Sequence, residues 1–300
     1  MFSNQPNPWD GRRAGRGVRD FVAAGISVQR AKETLRPLIN PIRYKFALRF
    51  QRRQNRIYTQ FRRFPNQLRV LTEHVLPAML ERDPTLAQRP LRIAVFACCS
   101  GEEVVSLSHS IRTAFPQLSL RIQAYDLVGE VVERAQTGCY SKEEVYAGPF
   151  VSDDFVQQVF EVENETYRVK PALREGVTFE TGDITSEAFM GALEPFDLVF
   201  AQNVLFHLPR PVARRAFHNL AGLLRPGGAL FINGMDSDMR IELTKAAKLT
   251  PVETLIEEIH NDARVDRGGA WAHQYWGREP FSRSGADWTR RHGTIFTSGA

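Results

Sequence analysis

Cysteine is scarce. The chain has 300 residues and three cysteines, Cys98, Cys99 and Cys139, too few for a disulfide framework. The adjacent pair ends an apolar run, so the thiols are expected as small buried groups of a protein in a reducing cytoplasm. Long apolar runs are missing too. No stretch approaches the roughly 18 residues a membrane-spanning helix needs. The first residues, MFSNQPNPWDGRRAGRG, lack the apolar core of a secretory leader. The seven histidines have no metal-ligand spacing with cysteine or with each other, so no metal site is expected. There is no Gly-x-Gly-x-x-Gly, which argues against a pyrophosphate-binding dehydrogenase. An Asn/Asp-Pro-Pro-Tyr run and a recognition module are both lacking, so nucleic acid is a poor candidate partner. No internal repeat is found.

The composition is that of a globular protein, but its charge is uneven. Residues 1–70 carry sixteen Lys/Arg against three acids, a balance of +13, whereas the other 230 residues carry 23 against 31, a balance of −8. A basic arm of this kind suits docking on its own acidic domain, an acidic partner, anionic lipid or nucleic acid; a solvated basic helix is the plain alternative. Residues 1–18, rich in Gly, Pro and Arg, read as a disordered basic tail. Residues 19–88 read as a basic helical region. It holds an apolar rhythm from Phe21 to Leu35 ended by Pro37, a basic amphipathic helix over 42–63, and a helix over 66–82 broken or kinked at Pro77.

From residue 89 the pattern changes to strands alternating with helices. Apolar strands are expected at 91–99, 120–126, 177–183, 196–203 and 228–234, with helices over 102–115, 129–136 and 210–224. Continuous apolar strands in this alternation imply an α/β fold, a doubly wound and mostly parallel sheet covered on both faces. The domain runs from 89 to 300, with a small insertion at about 140–175 and a C-terminal extension at about 236–300.

In such a sheet the ligand lies at the carboxyl ends of the strands. After the first strand, Gly101 permits a tight turn and a close backbone approach, and Glu102 and Glu103 open the next helix. Carboxylates there suit the helix dipole. They would also repel a pyrophosphate and attract the ammonium and sulfonium of S-adenosylmethionine. After the second strand, Asp126 can accept hydrogen bonds from both ribose hydroxyls of an adenosine, or can serve as a helix cap. After the third, Asp183 and Ile184 can meet an adenine ring, or Asp183 can be a turn residue. After the fourth come Gln202, Asn203, Val204 and, three further on, His207, which suits a base, a substrate contact or a structural role.

Several segments in order resemble the chemoreceptor glutamate methyltransferases, the CheR type of class I, Rossmann-like enzyme. They are YTQFRRFP (58–65), ACCSGEEVVSL (97–107), AYDLVGEVVERAQTGCY (124–140), YRVKPALREGVTFETGDI (167–184) and FDLVFAQNVLFHL (196–208). The resemblance implies S-adenosylmethionine as cofactor and a cytoplasmic methyltransferase. It implies that Arg63, Glu102, Asp126, Asp183, Ile184, Asn203 and Val204 contact the cofactor or line its pocket, with Ala97, Gly101 and Leu127 in the same turns. Arg63 would also lie near the transfer centre, and the 140–175 insertion would match the family's small subdomain. Departures are plain. Arg62 replaces a phenylalanine, Gln202 an arginine, Asp183 an asparagine, and His207 the tyrosine beside the transfer site, which makes His207 the candidate base. The aromatic-rich stretch 257–281 suits a substrate pocket or a cover for the sheet. The acceptor is left open between a protein carboxylate and a small molecule or saccharide, with a non-catalytic binder as a third reading.

Overall fold

The computed structural model describes residues 59–266 and 281–299. The expected tail over 1–18, the helix over 19–36 and most of the helix over 42–63 lie outside the described residues. The last residues of that helix, 59–63, form a turn instead. Arg62 has φ +52°, a conformation that cannot continue a right-handed helix, and Phe61 is driven into a core at 0% exposure.

A helix follows in two pieces, α1 (Pro65–Val70) and α2 (Leu76–Arg82), joined by a π turn over Leu71–Val75. Pro77 offers no N–H to the carbonyl four residues back, and its ring crowds that carbonyl. The wide turn just ahead of it absorbs both defects, so the expected kink takes the form of a π bulge.

The alternating part then runs β1 (Leu91–Phe96), α3 (Glu102–Ala114), β2 (Leu120–Asp126) and α4 (Gly129–Thr137). Next comes a small unit of β3 (Cys139–Tyr140), α5 (Lys142–Val145), α6 (Asp153–Val159), β4 (Phe160–Glu163) and β5 (Thr166–Val169). The chain returns through α7 (Pro171–Arg174), β6 (Val177–Thr181), α8 (Glu187–Gly191), β7 (Phe196–Gln202), α9 (Arg210–Gly222) and β8 (Leu224–Asn233). It ends with α10 (Ser237–Ala246), β9 (Thr250–Pro251), α11 (Ile256–Asp266), α12 (Trp288–His292) and β10 (Ile295–Thr297).

The main sheet has the order β6-β2-β1-β7-β8-β10-β9. Its first five strands are parallel, and β10 is antiparallel to both β8 and β9. Strand order reverses between β1 and β7, which is where an open sheet leaves a crevice for ligand. Both faces are covered. Ile93 and Val95 of β1 join one apolar cluster with Leu71, Leu107 and Ile111, while Ala94 and Phe96 join another with Val199 and Phe217. All seven residues of β7 are buried, which suits its largely apolar sequence. Asp197 is the charged exception, and Arg89 grips it through two hydrogen bonds of 2.7 Å while Arg92 N donates at 2.8 Å.

The small unit is an antiparallel three-stranded sheet, β3-β5-β4. Its core includes Tyr140, Phe155, Phe160 and Val169, and it receives Phe61 from the entering turn and Val105 from α3. The chain after 236 adds two strands to the main sheet. Ile295 and Phe296, at 1% and 0% exposure, seat β10 between β8 and β9. Among the described residues no helix is long and apolar enough to cross a membrane.

Candidate functional site

The loop leaving β1 is held in an unusual path. Ala97, Cys99 and Gly101 have φ of +55°, +53° and +96°, and the two residues with side chains occupy a conformation that costs energy unless the surroundings enforce it. Three hydrogen bonds do so. Cys98 N donates to Tyr125 O at 3.0 Å, Cys99 N donates to Asp126 Oδ2 at 2.9 Å, and Tyr140 Oη donates to Ser100 O at 2.7 Å. A Cβ on Gly101 would lie 3.1 Å from Tyr140 Oη and 3.2 Å from both Ala135 and Phe179, so only glycine fits without displacement. Cys98 and Cys99 thus belong to the loop after the strand, with Cys98 buried at 1%.

Asp126 ends β2 and organises this corner. Its Oδ2 takes Cys99 N and its Oδ1 takes Val128 N at 3.1 Å. Each oxygen keeps lone-pair capacity for a further donor. Next to it Leu127 and Val128 are 67% and 40% exposed, an apolar ledge beside the acid. Glu102 opens α3 at 4% exposure, with Ser100 Oγ within 2.9 Å of both its oxygens. Burial pushes its carboxyl up to about 7. Half-buried Glu103 is likewise pushed up to about 7 by burial, against the opposing pull of Arg63. The corner therefore holds two carboxyl groups whose protonated form burial favours.

Beyond β6, Gly182 N donates to Asp126 O at 2.8 Å, which ties this turn to the same corner. Asp183 Oδ1 accepts from Thr185 N and Thr185 Oγ1, both at 2.7 Å, so the side chain folds its own turn. Ile184 is buried at 7% and packs in the cluster containing Tyr125. At the end of β7, Asn203 has φ +53°, a conformation asparagine tolerates better than most, and its N donates to Asn233 O at 3.0 Å. Its Nδ2 is buried and makes no hydrogen bond. Val204 beside it is half-buried. His207 lies one turn further, exposed, with its ring 4.2 Å from that of Phe206.

The expected residues Ala97, Gly101, Glu102, Asp126, Leu127, Asp183, Ile184, Asn203 and Val204 thus all stand at the carboxyl ends of β1, β2, β6 and β7. Arg63 approaches from the entering turn, its guanidinium 5.6 Å from the Phe64 ring. That turn is anchored by contacts the sequence did not reveal. Asn66 donates through N and Nδ2 to Asp262 of α11 at 3.0 and 2.7 Å. Gln202 Nε2 donates to Gln67 Oε1 at 2.7 Å, and Gln67 Nε2 to Thr294 Oγ1 at 2.9 Å. The one signal in the sequence was Gln202 standing where the resembled family has arginine.

The residues present fit an S-adenosyl ligand. A buried polar donor with no partner is costly, and Asn203 Nδ2 is such a donor at the crevice. Glu102 and Glu103 offer negative charge to a cation, and Asp126 offers acceptors to hydroxyls.

Comparison with known proteins agrees with this chemistry. Residues 58–255 match the family model described as CheR methyltransferase, SAM binding domain. The chain is 29% identical over 185 residues to the probable biofilm formation methyltransferase WspC of Pseudomonas aeruginosa, an alignment covering 60% of this chain and 42% of that protein. It is 33% identical over 175 residues to chemotaxis protein methyltransferase 1 of the same organism, covering 56% and 61%. It is 29% identical over 178 residues to a chemotaxis protein methyltransferase of Listeria monocytogenes, covering 59% and 64%. The chain therefore spans less than two thirds of the length of each of these relatives.

Proposed function

The chain belongs to the CheR methyltransferase family, and from that premise we propose that it transfers a methyl group from S-adenosylmethionine to a carboxylate oxygen on a protein. The observation that carries the reading is the convergence of the Gly101 loop, Asp126 and Asn203 on the crevice between β1 and β7. Two of the relatives named above are chemotaxis protein methyltransferases, which favours a protein acceptor over the small-molecule or saccharide alternative.

Bound S-adenosylmethionine supplies a methyl carbon already activated by its sulfonium. The chain's own work is to bind, orient and keep water out. Asp126 would hold the ribose hydroxyls, Asn203 Nδ2 would donate to the polar end of the ligand, and Glu102 would face its positive charge. Ile184, Val204 and Leu127 would wall the adenosine, and Asp183 would border the adenine, in addition to folding its own turn. Ala97 and Gly101 bring the backbone close. Arg63 would orient the incoming carboxylate through its two-pronged guanidinium. A carboxylate is ionised near neutral pH and needs no base. An alcohol or protonated amine would need one, and His207, exposed beside Phe206, is the candidate.

The test uses methyl-labelled S-adenosylmethionine and the cytoplasmic domain of a chemoreceptor. Label that enters the protein and is released as methanol by mild alkali is the expected result, because a methyl ester hydrolyses under those conditions. Alkali-stable label on the protein would point to nitrogen or ether chemistry and would overturn the carboxylate assignment.

A further inference from the structure

Helix α1 starts without a cap of its own. Phe64, at the N-cap position, makes no side-chain cap, and Pro65 has no N–H to offer. The carbonyl of Phe64 takes Gln67 N and Leu68 N, both at 3.1 Å. Asn66 N is then the first-turn donor for which the described backbone supplies no acceptor. Asp262 of α11 takes it on Oδ2 at 3.0 Å and takes Asn66 Nδ2 on Oδ1 at 2.7 Å. Asp262 is 5% exposed. A carboxylate from a distant element therefore caps α1, where its negative charge also suits the start of the helix. α11 begins at Ile256, directly after the stretch 58–255 that matches the family model. The cap thus comes from a part of the chain that the family pattern does not contain.

Arg63 lies between two anchors. Before it, Phe61 is buried at 0% exposure in the core of the small unit, and Arg62 N donates to Ser106 Oγ of α3 at 2.9 Å. After it comes the pair Asn66–Asp262. Only Phe64 and Pro65 separate Arg63 from Asn66, and the proline ring stiffens that link, so a displacement of Asn66 is passed on to Arg63. The positive charge of Arg63 is felt by the Glu103 carboxyl, which sets the guanidinium near the opening of α3. The rest of α1 has its own supports. Gln67 is tied to Gln202 and Thr294, and Val70 and Leu71 are at 0% exposure.

We propose that Asp262 is a positioning residue for methyl transfer, which fixes Arg63 by capping α1, so that the C-terminal extension sets the acceptor end of the site. This rests on the reading that Arg63 orients the incoming carboxylate. A misplacement of about 1 Å at such a group costs up to about a hundredfold in rate. The cap needs hydrogen-bonding shape more than charge. Asparagine at 262 can accept Asn66 N on its oxygen and donate from its nitrogen to Asn66 Oδ1, once the Asn66 amide has turned over. Alanine supplies neither bond.

The experiment measures methyl transfer from labelled S-adenosylmethionine to a chemoreceptor cytoplasmic domain, S-adenosylhomocysteine affinity, and the Arg63 Nε–Hε signal by NMR, all in the full chain. Asp262→Ala should lower kcat/KM for the acceptor at least about tenfold while S-adenosylhomocysteine affinity changes by less than about threefold. It should also move the Arg63 signal. Asp262→Asn should retain the rate to within about threefold and leave that signal in place. In an Arg63→Ala background, Asp262→Ala should cause little further loss, because the group it positions is already gone. An undiminished rate in Asp262→Ala, an equal loss in the Arg63→Ala background, or a parallel loss of S-adenosylhomocysteine affinity would overturn the proposal. The parallel loss would mark Asp262 as a general support of the fold. A wild type that binds S-adenosylhomocysteine but methylates no chemoreceptor domain would count against the acceptor reading instead. The Arg63 signal then decides on Asp262, and a signal unmoved by Asp262→Ala would overturn its positioning role.

Discussion

At the scale of single residues the crevice is defined by groups whose ordinary behaviour has been altered. Glu102 is the clearest. Burial raises its carboxyl from about 4.5 to about 7, so the folded, ligand-free protein holds this proton to higher pH than the unfolded chain does. The group's contribution to stability is intact below about 4.5 and is lost as pH rises toward 7. Glu102→Gln should therefore be more stable than the wild type at pH 8 and equal to it near pH 4, as read from urea midpoints. Ligand affinity should run the other way. In the proposed site the ionised form would meet the cation, so wild-type affinity for S-adenosylmethionine should fall by up to about tenfold per pH unit below 7. Glu102→Gln should bind weakly with a flatter profile, the remaining slope coming from Glu103. An equal slope in the variant would remove Glu102 from the site. Gly101 gives a second expectation. Its φ of +96° and the 3.1–3.2 Å contacts awaiting a Cβ mean that Gly101→Ala should cost about 1–3 kcal/mol and lower the melting temperature. It should also weaken S-adenosylhomocysteine binding, because the loop must shift. Unchanged stability would mean the loop is not held as described.

At the scale of elements the site depends on contacts between distant segments. Thr294, Gln67 and Gln202 form a buried relay from the start of β10 through α1 to the end of β7. Gln67→Leu would leave the Gln202 and Thr294 groups without their partner, at a cost of about 1–3 kcal/mol. Adding Gln202→Leu should recover part of that loss in a double-mutant cycle. Strict additivity of the two changes would contradict a direct coupling. Elements such as β2, α3, α9 and β7 were legible in the sequence, because a strand of a covered parallel sheet is rich in apolar residues and a following helix must show a 3.6-residue rhythm. The first strand was read as 91–99, but it stops at Phe96. Ala97 and Cys99 are small apolar residues that look like strand continuation, and their positive φ is imposed by Asp126 and Tyr140, which are far away in sequence. The relay was illegible for the same reason, since nothing in a glutamine says which other glutamine it will meet.

At the scale of the molecule the fold class followed from the alternation of strands and helices, and the crevice from the general geometry of such sheets. The region after 236 was harder to read. Residues 295–297 are only three long and become a strand because β8 and β9 offer edges on either side. Its neighbour 257–281 had suggested a pocket or a cover; the described part of α11 holds the Arg63 turn through Asp262, and 267–280 lies outside the described residues. The parallel sheet, the small antiparallel unit and α11 all converge on residues 59–67, through Gln202 to Gln67, the core around Phe61, and Asp262 to Asn66. The most direct measurement is calorimetric titration of the full chain with S-adenosylhomocysteine, beside Asp126→Ala. The wild type should bind, and the variant should bind at least about tenfold more weakly, a loss of roughly 1.4 kcal/mol or more. No binding by the wild type, or equal binding by both proteins, would contradict the assignment of the crevice.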